Sequence, residues 1–360
     1  MSLIEMNILH ILSAPAAGGA ENYIKDLSIA MAKQGHSIHL LFLSNAEQAG
    51  HDKEYEADFL EELGENNISY HFAGIASRKK PWIGGFKLRE IVRKHSIGMV
   101  HAHLYYGVLF SIFLYGVPVF YTHHSVKLKI SPILFKLLCF RVTAFVAICQ
   151  PCKSMLGKLT SRPVELIYNA VSFSRVQHRV GKREKGRVRF VFVGRLHEAK
   201  NCGLLLKAVS QIMDCDFELK IAGYGSEEKK LKEISRDIGV ESRVEFLGNV
   251  KDVPSLLYES DVFVMSSLWE GLPIALIEAI SAGLPSVVTD VGGCAEIVEG
   301  VGAGFVVPSG DDKALAQRMR DLIVNSSLRK EFSQNAIKGR DRFDIGFSCQ
   351  SHVEYYSRHA

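Results

Sequence analysis

Three observations predict that this chain folds as two α/β domains, each built like a Rossmann unit. Short runs rich in apolar and β-branched residues alternate with segments of helical periodicity along the whole sequence. That alternation is typical of parallel sheets joined by crossover helices. A chain of 360 residues is also too long for one ordinary core, so the pattern indicates two consecutive domains.

Both halves of the chain contain a series of predicted strands. In the first half, the strands are predicted at residues 8–12, 37–43, 68–72, 99–101, 117–121, 144–148 and 164–167. In the second half, they are predicted at residues 190–193, 218–222, 244–247, 262–265, 286–289 and 304–307. Each series therefore predicts one parallel sheet.

A polar, basic segment at residues 172–185 separates the two series and is followed at once by a new strand. We therefore place the domain boundary near residue 180. The sequence then predicts an N-terminal domain at 1–180 and a C-terminal domain at 181–345. For the last segment, 346–360, we expect a helix that packs back on the N-terminal domain.

Composition and cysteine usage indicate a cytoplasmic protein. The seven cysteines are scattered, without the spacing of a zinc site or a disulfide framework. The first predicted strand begins too early to leave room for a signal peptide. The most apolar window, residues 108–121, is broken by Gly116 and Pro118 and is shorter than the roughly 20 residues of a membrane span. We therefore expect no transmembrane helix.

Basic charge is concentrated in the first half of the chain. From Tyr70 to Glu165 there are 14 lysines and arginines but only two acidic residues. Such a surplus attracts an anionic membrane surface or a phosphorylated acceptor, although a solvated basic face is the simpler alternative. Around residues 131–141 basic and large apolar residues interleave, which favours a membrane surface. Since no nucleic-acid-binding motif accompanies the charge, we expect no nucleic-acid partner.

Two carboxylates and two cations in the second half indicate a ligand that carries hydroxyls and phosphates. Glu270 precedes a Gly-Leu-Pro turn, and Glu278 lies within the apolar segment that follows. If Glu278 faces the buried side, it needs a polar partner, for example the hydroxyls of a nucleotide sugar. Arg195 and Lys200 follow the strand at 190–193 and are suited to hold a diphosphate.

Glycines follow the first strand of each half. Gly18 and Gly19 precede a predicted helix, where backbone N–H groups can approach an anion, although a tight turn without a ligand is equally compatible. In the second half, residues 223–225 end a strand in the same way and are suited to receive a nucleotide base. The motif G-x-G-x-x-G is not satisfied, which argues against a dinucleotide oxidoreductase.

Metal-binding patterns are weak in this sequence. Asp214 and Asp216 form a D-x-D pair, but it precedes a strand and is typical of a helix-to-strand turn. Histidines at 101, 103, 123 and 124 end two predicted strands, without acids or thiolates nearby. We therefore expect no metal and no cofactor, and instead expect one of these histidines to contact substrate.

Taken together, the order and spacing of these residues resemble the retaining GT-B-fold glycosyltransferases of family 4 (glycosyl transferases group 1), over nearly the whole chain. The resembling segments are residues 18–21, 121–124, 167–170, 194–195, 200–201, 223–225, 270–279, 282–285 and 291–296. The resemblance implies two Rossmann-like domains that face each other across a cleft. It also implies a nucleotide-diphosphate sugar held mainly by the second domain and an acceptor on the first.

The resemblance assigns roles to individual residues. Arg195 and Lys200 would neutralise the leaving diphosphate without a metal, Glu270 would bind the donor sugar, and Glu278 would bind the ribose. The expected donor-binding residues are Gly18, Gly19, Gly194, Gly223, Tyr224, Leu272, Pro273, Ile274, Ala275 and Glu278.

His124 matches the family histidine beside the anomeric carbon, because Pro118 and Thr122 fix its position in the pattern Pro-x-x-x-Thr-x-His. His123 is the rival if the register slips by one residue. The family retains the anomeric configuration, and we assign no protein general base. Ser125 follows His124 where many relatives have an acid, so acceptor contacts at that position are not carried over.

The expected function is transfer of a hexose or N-acetylhexosamine to a glycan or lipid-linked acceptor in bacterial surface polysaccharide synthesis. UDP is the expected nucleotide, since it is the commonest in the resembling family. We expect a cytoplasmic protein that is peripheral at the inner membrane face. The alternatives are a soluble small-molecule glycosyltransferase and a catalytically inert nucleotide-sugar-binding protein.

Overall fold

The computed structural model shows two compact units, which we call the N-terminal unit and the C-terminal unit. The N-terminal unit comprises Met1–Asn169 and Ile345–Ala360, and the C-terminal unit comprises Ala170–Asp344. The predicted boundary near residue 180 lies outside the described residues. The residues that the structure describes are 5–50, 52–128, 130–175 and 186–360.

The N-terminal unit is built on a parallel sheet of seven strands within its described residues, in the order β3-β2-β1-β4-β5-β6-β7. The strands are β1 Asn7–Leu12, β2 Ser37–Phe42, β3 Ser69–Phe72, β4 Met99–Ala102, β5 Val119–His123, β6 Ala144–Ala147 and β7 Val164–Leu166. The helices before the second unit are α1 Gly19–Lys33, α2 Ala46–Ala49, α3 Lys53–Glu65, α4 Ala76–Lys79, α5 Pro81–Lys94, α6 Tyr105–Ser111, α7 Pro132–Cys139 and α8 Gln150–Gly157.

The C-terminal unit is built on a parallel sheet of six strands, again counted over its described residues, in the order β10-β9-β8-β11-β12-β13. The strands are β8 Val188–Val193, β9 Phe217–Ala222, β10 Val244–Gly248, β11 Val262–Met265, β12 Ser286–Thr289 and β13 Gly304–Val307. The helices are α9 Cys202–Ser210, α10 Glu228–Asp237, α11 Val253–Glu259, α12 Ile274–Ser281, α13 Cys294–Val301, α14 Asp312–Val324 and α15 Ser326–Gly339. Short 3₁₀ helices lie at Phe173–Arg175, Glu198–Lys200 and Arg340–Phe343.

The observed strands confirm the predicted fold class. Each of the thirteen predicted strands is present, with ends within two residues of the prediction. Central strands such as β4, β5 and β11 are buried along their full length, because helices cover both faces of a parallel sheet. Their near-continuous apolar sequences are therefore the signature that made them predictable.

Polar side chains fix where several helices begin. The side chains of Asp52, Ser131, Asp252, Asp311 and Asn325 each accept a hydrogen bond from a backbone N–H of the first helical turn. A helix leaves its first N–H groups without backbone partners, and these caps supply the missing acceptors. Local sequence thus sets the starts of α3, α7, α11, α14 and α15.

The last helix, α16 Ile345–His359, belongs to the N-terminal unit and packs against α1. The hydroxyls of Tyr23 and Ser348 are 2.8 Å apart, and the Tyr355 hydroxyl donates to the carbonyl of Phe145. Both tyrosines are buried. The C-terminal helix is therefore part of the core of the N-terminal unit.

Both sheets reverse their strand order at one point. In the N-terminal unit the reversal lies between β1 and β4, and in the C-terminal unit it lies between β8 and β11. Loops from neighbouring strands diverge there, which leaves a crevice at the carboxyl ends of the strands where open α/β sheets bind ligands. These two switch points locate the candidate sites. Across the described ranges, none of the helices is both long and apolar enough to cross a bilayer.

Candidate functional site

An ion pair joins the two loops at the switch point of the C-terminal unit. Lys200 follows β8, Glu270 follows β11, and the Lys200 Nζ lies 2.5 Å from the Glu270 Oε1. The Ser267 hydroxyl donates to the same oxygen at 2.6 Å. The side chains are 19% and 12% exposed, so the pair is shielded yet open on one side. The sequence predicted both residues in the site but not their contact.

Hydrogen bonds to backbone carbonyl groups also hold these loops together. The Ser266 hydroxyl lies 3.0 Å from the carbonyl oxygens of both Lys200 and Asn201. The N–H of Leu268 donates to the carbonyl of Ala199 at 2.8 Å. Asn201 adopts a positive φ of 46°, which ends the 3₁₀ helix and starts α9. Lys200 and Glu270 are therefore positioned by fixed backbone rather than by flexible loops.

A glycine after β12 makes room for the Glu270 loop. Gly292 has a φ of +58°, and a Cβ at this position would lie 2.5 Å from the carbonyl oxygens of Glu270 and Gly271. The next N–H, of Gly293, donates to the Gly271 carbonyl at 2.8 Å. The loops after β8, β11 and β12 thus form one rigid edge.

Helix α12 begins next to the ion pair and exposes one face. Ile274, Ala275 and Glu278 are half-buried, whereas Leu276 and Ile277 are fully buried. Positions 274, 275 and 278 share one face of a helix, so Glu278 lies on the same side as the first backbone N–H groups. Glu278 is half-buried rather than on the fully buried side, so the condition that we attached to a buried position is not met. Its carboxylate is instead on the face that a ligand can reach.

Leu272 and Pro273 lead into this helix and are both buried. Pro273 is the N-cap residue, and no side chain caps the helix there. The first N–H groups of a helix have no acceptor within the helix. This end of α12 therefore carries partial positive charge.

Two glycine loops adjoin each other beside Arg195. Gly223 has a φ of +139°, and a Cβ there would lie 1.9 Å from the Gly194 carbonyl oxygen. The N–H of Leu196 donates to the Tyr224 carbonyl at 2.9 Å. The loops after β8 and β9 therefore run against each other, and the Arg195 and Tyr224 side chains project from them into solvent.

The glycines after β1 have a clear structural role. Gly18 is the N-cap residue of α1, and a Cβ there would meet the carboxylate of Glu21, 2.1 Å from its Oε2. Gly19 is the first residue of the helix. A carboxylate at a helix N-terminus is favourable. The site that we expected for a ligand anion therefore already holds the Glu21 side chain in this structure.

His124 lies at the switch point of the N-terminal unit with other histidines. Its Nε2 is 3.1 Å from the Nδ1 of His103, and the Nε2 of His103 is 3.0 Å from the Nδ1 of His10. His123 lies elsewhere, with its Nδ1 near the Tyr121 hydroxyl and its Nε2 near the Lys127 carbonyl oxygen. The two rival histidines thus have separate environments.

His101 completes this cluster. Its Nδ1 lies 2.5 Å from the Tyr356 hydroxyl and its Nε2 lies 2.7 Å from the Thr122 hydroxyl. Burial lowers the pKa of His10 to about 3 and holds the pKa values of His101 and His103 well below 6.5. The buried imidazoles are therefore neutral near pH 7.

Nitrogen atoms of His10, His101 and His103 lie within 4.8 Å of one another, close enough to hold a metal ion. Both ring nitrogens of His101 and His103 already have hydrogen-bond partners. We therefore interpret the cluster as a hydrogen-bonded network of neutral imidazoles.

The D-x-D pair lies in a turn before β9, as the sequence predicted. Asp214 forms a bidentate pair with Arg320, which lowers the pKa of its carboxyl. Asp216 pairs with Arg187 and Arg243. The two carboxylates bind different arginines, so the pair has a structural role.

Sequence reasoning missed three residues that shape the sites, namely His10, Ser266 and Ser267. Ser266 and Ser267 directly follow β11 in a run that gave no chemical signal. His10 had a signal, since it interrupts the apolar strand β1 and a buried polar group needs a partner. His103 was considered only as one of several strand-end histidines.

Two family descriptions match consecutive parts of the chain. Residues 17–175 match Glycosyltransferase Family 4, and residues 174–339 match Glycosyl transferases group 1. Together they span residues 17–339, which include most of both units.

Among curated proteins, the chain is 25% identical over 352 residues to an α-1,4-N-acetyl-D-galactosaminyltransferase of Campylobacter jejuni, named for a diphosphoundecaprenol-linked substrate. That alignment covers 94% of this chain and 95% of the relative. N-acetyl-alpha-D-glucosaminyl L-malate synthase of Bacillus anthracis is 21% identical, with 89% of each chain covered.

Solved structures share the fold over both units. The Anabaena HepE protein in complex with UDP superposes with a TM-score of 0.82 at 19% identity, covering 98% of this chain and all of that one. A Rickettsia africae glycosyltransferase gives a TM-score of 0.83 at 18% identity, covering 99% and 98%. The chain therefore belongs to the GT-B-fold glycosyltransferases of family 4, glycosyl transferases group 1.

Proposed function

We propose that this glycosyltransferase moves a hexose or N-acetylhexosamine from a UDP-sugar to a glycan or lipid-linked acceptor in bacterial surface polysaccharide synthesis, with retention and without a metal. The observation that carries the proposal is the Lys200–Glu270 pair at the switch point of the C-terminal unit. It places a cation and a hydroxyl acceptor side by side, four residues before α12 begins.

Positive charge for the diphosphate comes from three sources. Lys200 is held in place by Glu270 and by the backbone contacts of its loop, whereas the Arg195 side chain is exposed and its guanidinium has no hydrogen bond or ion pair to any residue that the structure describes. The N-terminus of α12 adds partial positive charge. Fixed charge of this kind stabilises a leaving group without reorganisation, the role that a divalent ion has in other transferases.

The carboxylates are suited to hydroxyl recognition. Both contacts of Glu270 are made by Oε1, so within the described part of the chain Oε2 is left to accept from a sugar hydroxyl. Glu278 lies on the exposed face of α12, near the helix N-terminus. We assign the donor sugar to Glu270 and the ribose to Glu278.

The proposed chemical step keeps the anomeric configuration. The bond between the anomeric carbon and the diphosphate oxygen breaks, and the acceptor hydroxyl oxygen bonds to the same face of that carbon. The acceptor proton passes to the departing phosphate, so no protein general base is required. His124 is proposed to lie beside the anomeric carbon.

The basic N-terminal unit supports a lipid-linked acceptor. On α7, the apolar residues Ile133 and Leu137 are 75% and 63% exposed, and Phe140 directly after the helix is 64% exposed. Lys136 is exposed among them. Apolar side chains interleaved with cations suit the boundary of an anionic bilayer. We therefore place the protein in the cytoplasm, peripheral at the inner membrane face.

Vesicle binding tests this surface. The purified protein is expected to cosediment with phosphatidylglycerol vesicles and to lose this binding at high salt or in Leu137→Glu. Equal binding to neutral vesicles, or no effect of Leu137→Glu, would contradict the membrane surface but leave donor chemistry intact.

Ligand-induced thermal stabilisation followed by turnover tests the function. UDP should raise the unfolding temperature more than GDP, ADP or NAD, because a ligand at 100 times its Kd stabilises by about 2.7 kcal/mol. UDP-sugars are then tested for transfer in EDTA, which should not abolish turnover. Stabilisation by NAD alone, or donor binding without transfer to any glycan or lipid-linked acceptor, would overturn the proposal.

One observation favours a second function. The Bacillus anthracis relative is named for a small acceptor, L-malate, and its alignment spans nearly the whole chain. A transferase for a small soluble acceptor would turn over malate-like compounds and show no preference for vesicles.

A further inference from the structure

Arg78 connects the ends of neighbouring strands at the carboxyl edge of the N-terminal sheet. It lies on α4 after β3, whereas Ser13 directly follows β1 and Ser44 follows β2. The Arg78 Nη2 donates to the hydroxyl of Ser13 at 3.1 Å and to that of Ser44 at 3.4 Å. The N–H of Ser44 also donates to the Ser13 carbonyl at 3.2 Å. The guanidinium is therefore held at a place where three adjacent strands end.

This guanidinium has no carboxylate partner among the described residues. Its two hydrogen bonds go to neutral hydroxyls, and its Nε is buried without a partner. Arg78 is half-buried, and its Nη1 is open to solvent and makes no bond within the described part of the chain. By contrast, Arg320 and Arg243 in the C-terminal unit pair with aspartates. A cation that is partly removed from water without an opposite charge favours binding of an anion.

Two further hydroxyl groups lie near Arg78. The Ser13 hydroxyl accepts from Arg78 and has no acceptor of its own among the described residues, so its hydrogen is left for a ligand oxygen. Tyr105 begins α6 after β4. Burial and the neighbouring Tyr106 raise the pKa of Tyr105 to about 12, and the positive charge of Arg78 opposes this shift. The Tyr105 phenol is therefore neutral at pH 7 and lies within electrostatic reach of Arg78.

The charge around Arg78 favours a phosphate over a carboxylate. Lys79 and Lys80 follow it directly and are exposed. Between Tyr70 and Glu165 the other acidic residue is Glu90, which pairs with Lys87. A site with several cations and no nearby acid attracts a multiply charged anion most strongly.

The next helix presents apolar side chains beside this charge. Trp82 and Phe86 are one helical turn apart on α5, and both are more than half exposed. Trp82 lies four residues after Arg78 in the sequence. Exposed aromatic side chains next to cations suit a phosphate that is attached to a lipid.

Arg78 also lies on the same edge of the sheet as His124. Ser13 follows β1 and His124 follows β5, and only β4 lies between these strands, so their ends are roughly 10 Å apart. A short glycan spans such a distance. The switch point itself lies between β1 and β4, so Arg78 adjoins the neutral imidazoles without being part of their cluster.

We propose that Arg78 and the Ser13 hydroxyl bind a phosphate of the acceptor, in the diphosphate that joins a glycan to its lipid. This inference rests on the proposed function and names the acceptor group that the N-terminal unit recognises. Arg78 Nη1 donates to a phosphate oxygen, while Nη2 keeps its bonds to the two serines.

Direct binding tests the site without turnover. Isothermal titration of the full chain uses farnesyl diphosphate as the probe, with saturating UDP to fill the donor site. Arg78→Gln should weaken the binding at least tenfold, and Arg78→Lys, which keeps the charge, should recover part of it. Inorganic pyrophosphate, which lacks a lipid, should bind more weakly than farnesyl diphosphate.

Arg93→Gln is the matched control. Arg93 is exposed near the end of α5 that leads into β4, at the opposite edge of the sheet, so its loss should leave the binding unchanged. In turnover, Arg78→Gln should raise the KM of a lipid-diphosphate acceptor about tenfold, with the kcat and the KM of the UDP-sugar unchanged. The unfolding temperature of each variant shows whether the fold is retained.

The outcomes separate this inference from the proposed function. Binding of farnesyl diphosphate that depends on Arg78, without transfer to any acceptor, would end the proposed function but support the phosphate site. An active wild type whose Arg78→Gln variant keeps its affinity and its acceptor KM within about twofold would overturn the inference alone. Equal binding of pyrophosphate and farnesyl diphosphate would overturn the lipid-linked source, and tighter binding of malate than of either would overturn the preference for phosphate.

Discussion

The two switch points share a topology but differ in charge. In the C-terminal unit the carboxyl ends of β8 and β11 present Lys200, Glu270 and the start of α12. In the N-terminal unit the ends of β1 and β4 present buried imidazoles. Of the 14 histidines in the sequence, only His178 and His197 fall within Ala170–Asp344. The same fold thus supports one charged and one neutral site.

Under the proposed function, the difference shows how a common sheet would be adapted to two ligands. A diphosphate needs cations whose positions are fixed before it binds, which the ion pair and the loop hydrogen bonds provide. An acceptor hydroxyl is neutral, and neutral donors and acceptors are sufficient to orient it. If these assignments are right, the two units should behave as differently as their sites suggest.

The largest expected effect is loss of stability in the N-terminal unit at acid pH. Burial lowers the pKa of His10 to about 3 and that of His352 to about 4, whereas unfolded histidine titrates near 6.5. The unfolded state therefore binds more protons below pH 6.5, and stability is lost as pH falls. Each histidine contributes about 1.4 kcal/mol per pH unit, so the two together remove roughly 4 kcal/mol between pH 6.5 and 5.

Hydrogen exchange with mass spectrometry measures the loss of stability separately for each unit. Amides of β1 and β4 should lose protection at pH 5, after correction for intrinsic exchange, while those of β8 and β11 retain it. His352→Phe should weaken the pH dependence. Equal loss of protection in both units would contradict the prediction that acid destabilises the N-terminal unit selectively.

The next effect concerns the charged site. Lys200→Ala should lower kcat/KM about 100-fold, roughly 3 kcal/mol, because a fixed cation is lost and Glu270 keeps only its bond to Ser267. Lys207→Ala is the control, since Lys207 is exposed on the adjacent helix α9. Steady-state kinetics with the UDP-sugar provide the comparison, and equal activity of the two variants would disprove the site assignment.

A stability effect should follow in the C-terminal unit. Gly223→Ala places a Cβ 1.9 Å from the Gly194 carbonyl oxygen at a φ of +139°, so we expect a loss of about 2 kcal/mol. Gly203→Ala is the control, because a Cβ there meets nothing within 4 Å. Urea unfolding measures the free energy of unfolding of both variants. If Gly223→Ala is as stable as the control, the backbone at Gly194 and Gly223 can move apart to accept the added Cβ.

The smallest effect is expected for ribose recognition. Glu278→Gln keeps the size of the side chain but loses its charge as a hydroxyl acceptor, so kcat/KM should fall about tenfold, roughly 1.4 kcal/mol. Glu299→Gln on the exposed end of α13 should have no effect. A comparison of UDP with uracil or uridine as competing ligands would show whether the loss is in ribose binding.

The sequence predicted the strands and the location of the charged residues well, because both depend on local patterns. Buried parallel strands are apolar throughout, and strand-end loops carry the chemistry in this topology. The Lys200–Glu270 contact was not predictable in the same way, since it joins residues 70 positions apart across two loops.

Two details of the sites depend on the direction of a side chain, which the sequence patterns left open. The run around Glu278 is apolar, and helical geometry places position 278 on the half-exposed face with 274 and 275. Gly18 and Gly19 were compatible with an anion site or with a turn without a ligand, and in the structure the carboxylate of Glu21 lies against Gly18. In both cases the deciding fact is the direction of a side chain, which composition does not specify.

The position of α16 has a consequence for how the protein is made. The hydroxyl of Tyr356 binds His101, and Tyr355 binds the backbone of β6, so the N-terminal core includes residues that follow the whole C-terminal unit. During synthesis, the ribosome must complete Ala170–Asp344 before these tyrosines emerge. The C-terminal unit has all its strands when translation reaches α16, whereas the unit that was begun first is the last to be finished.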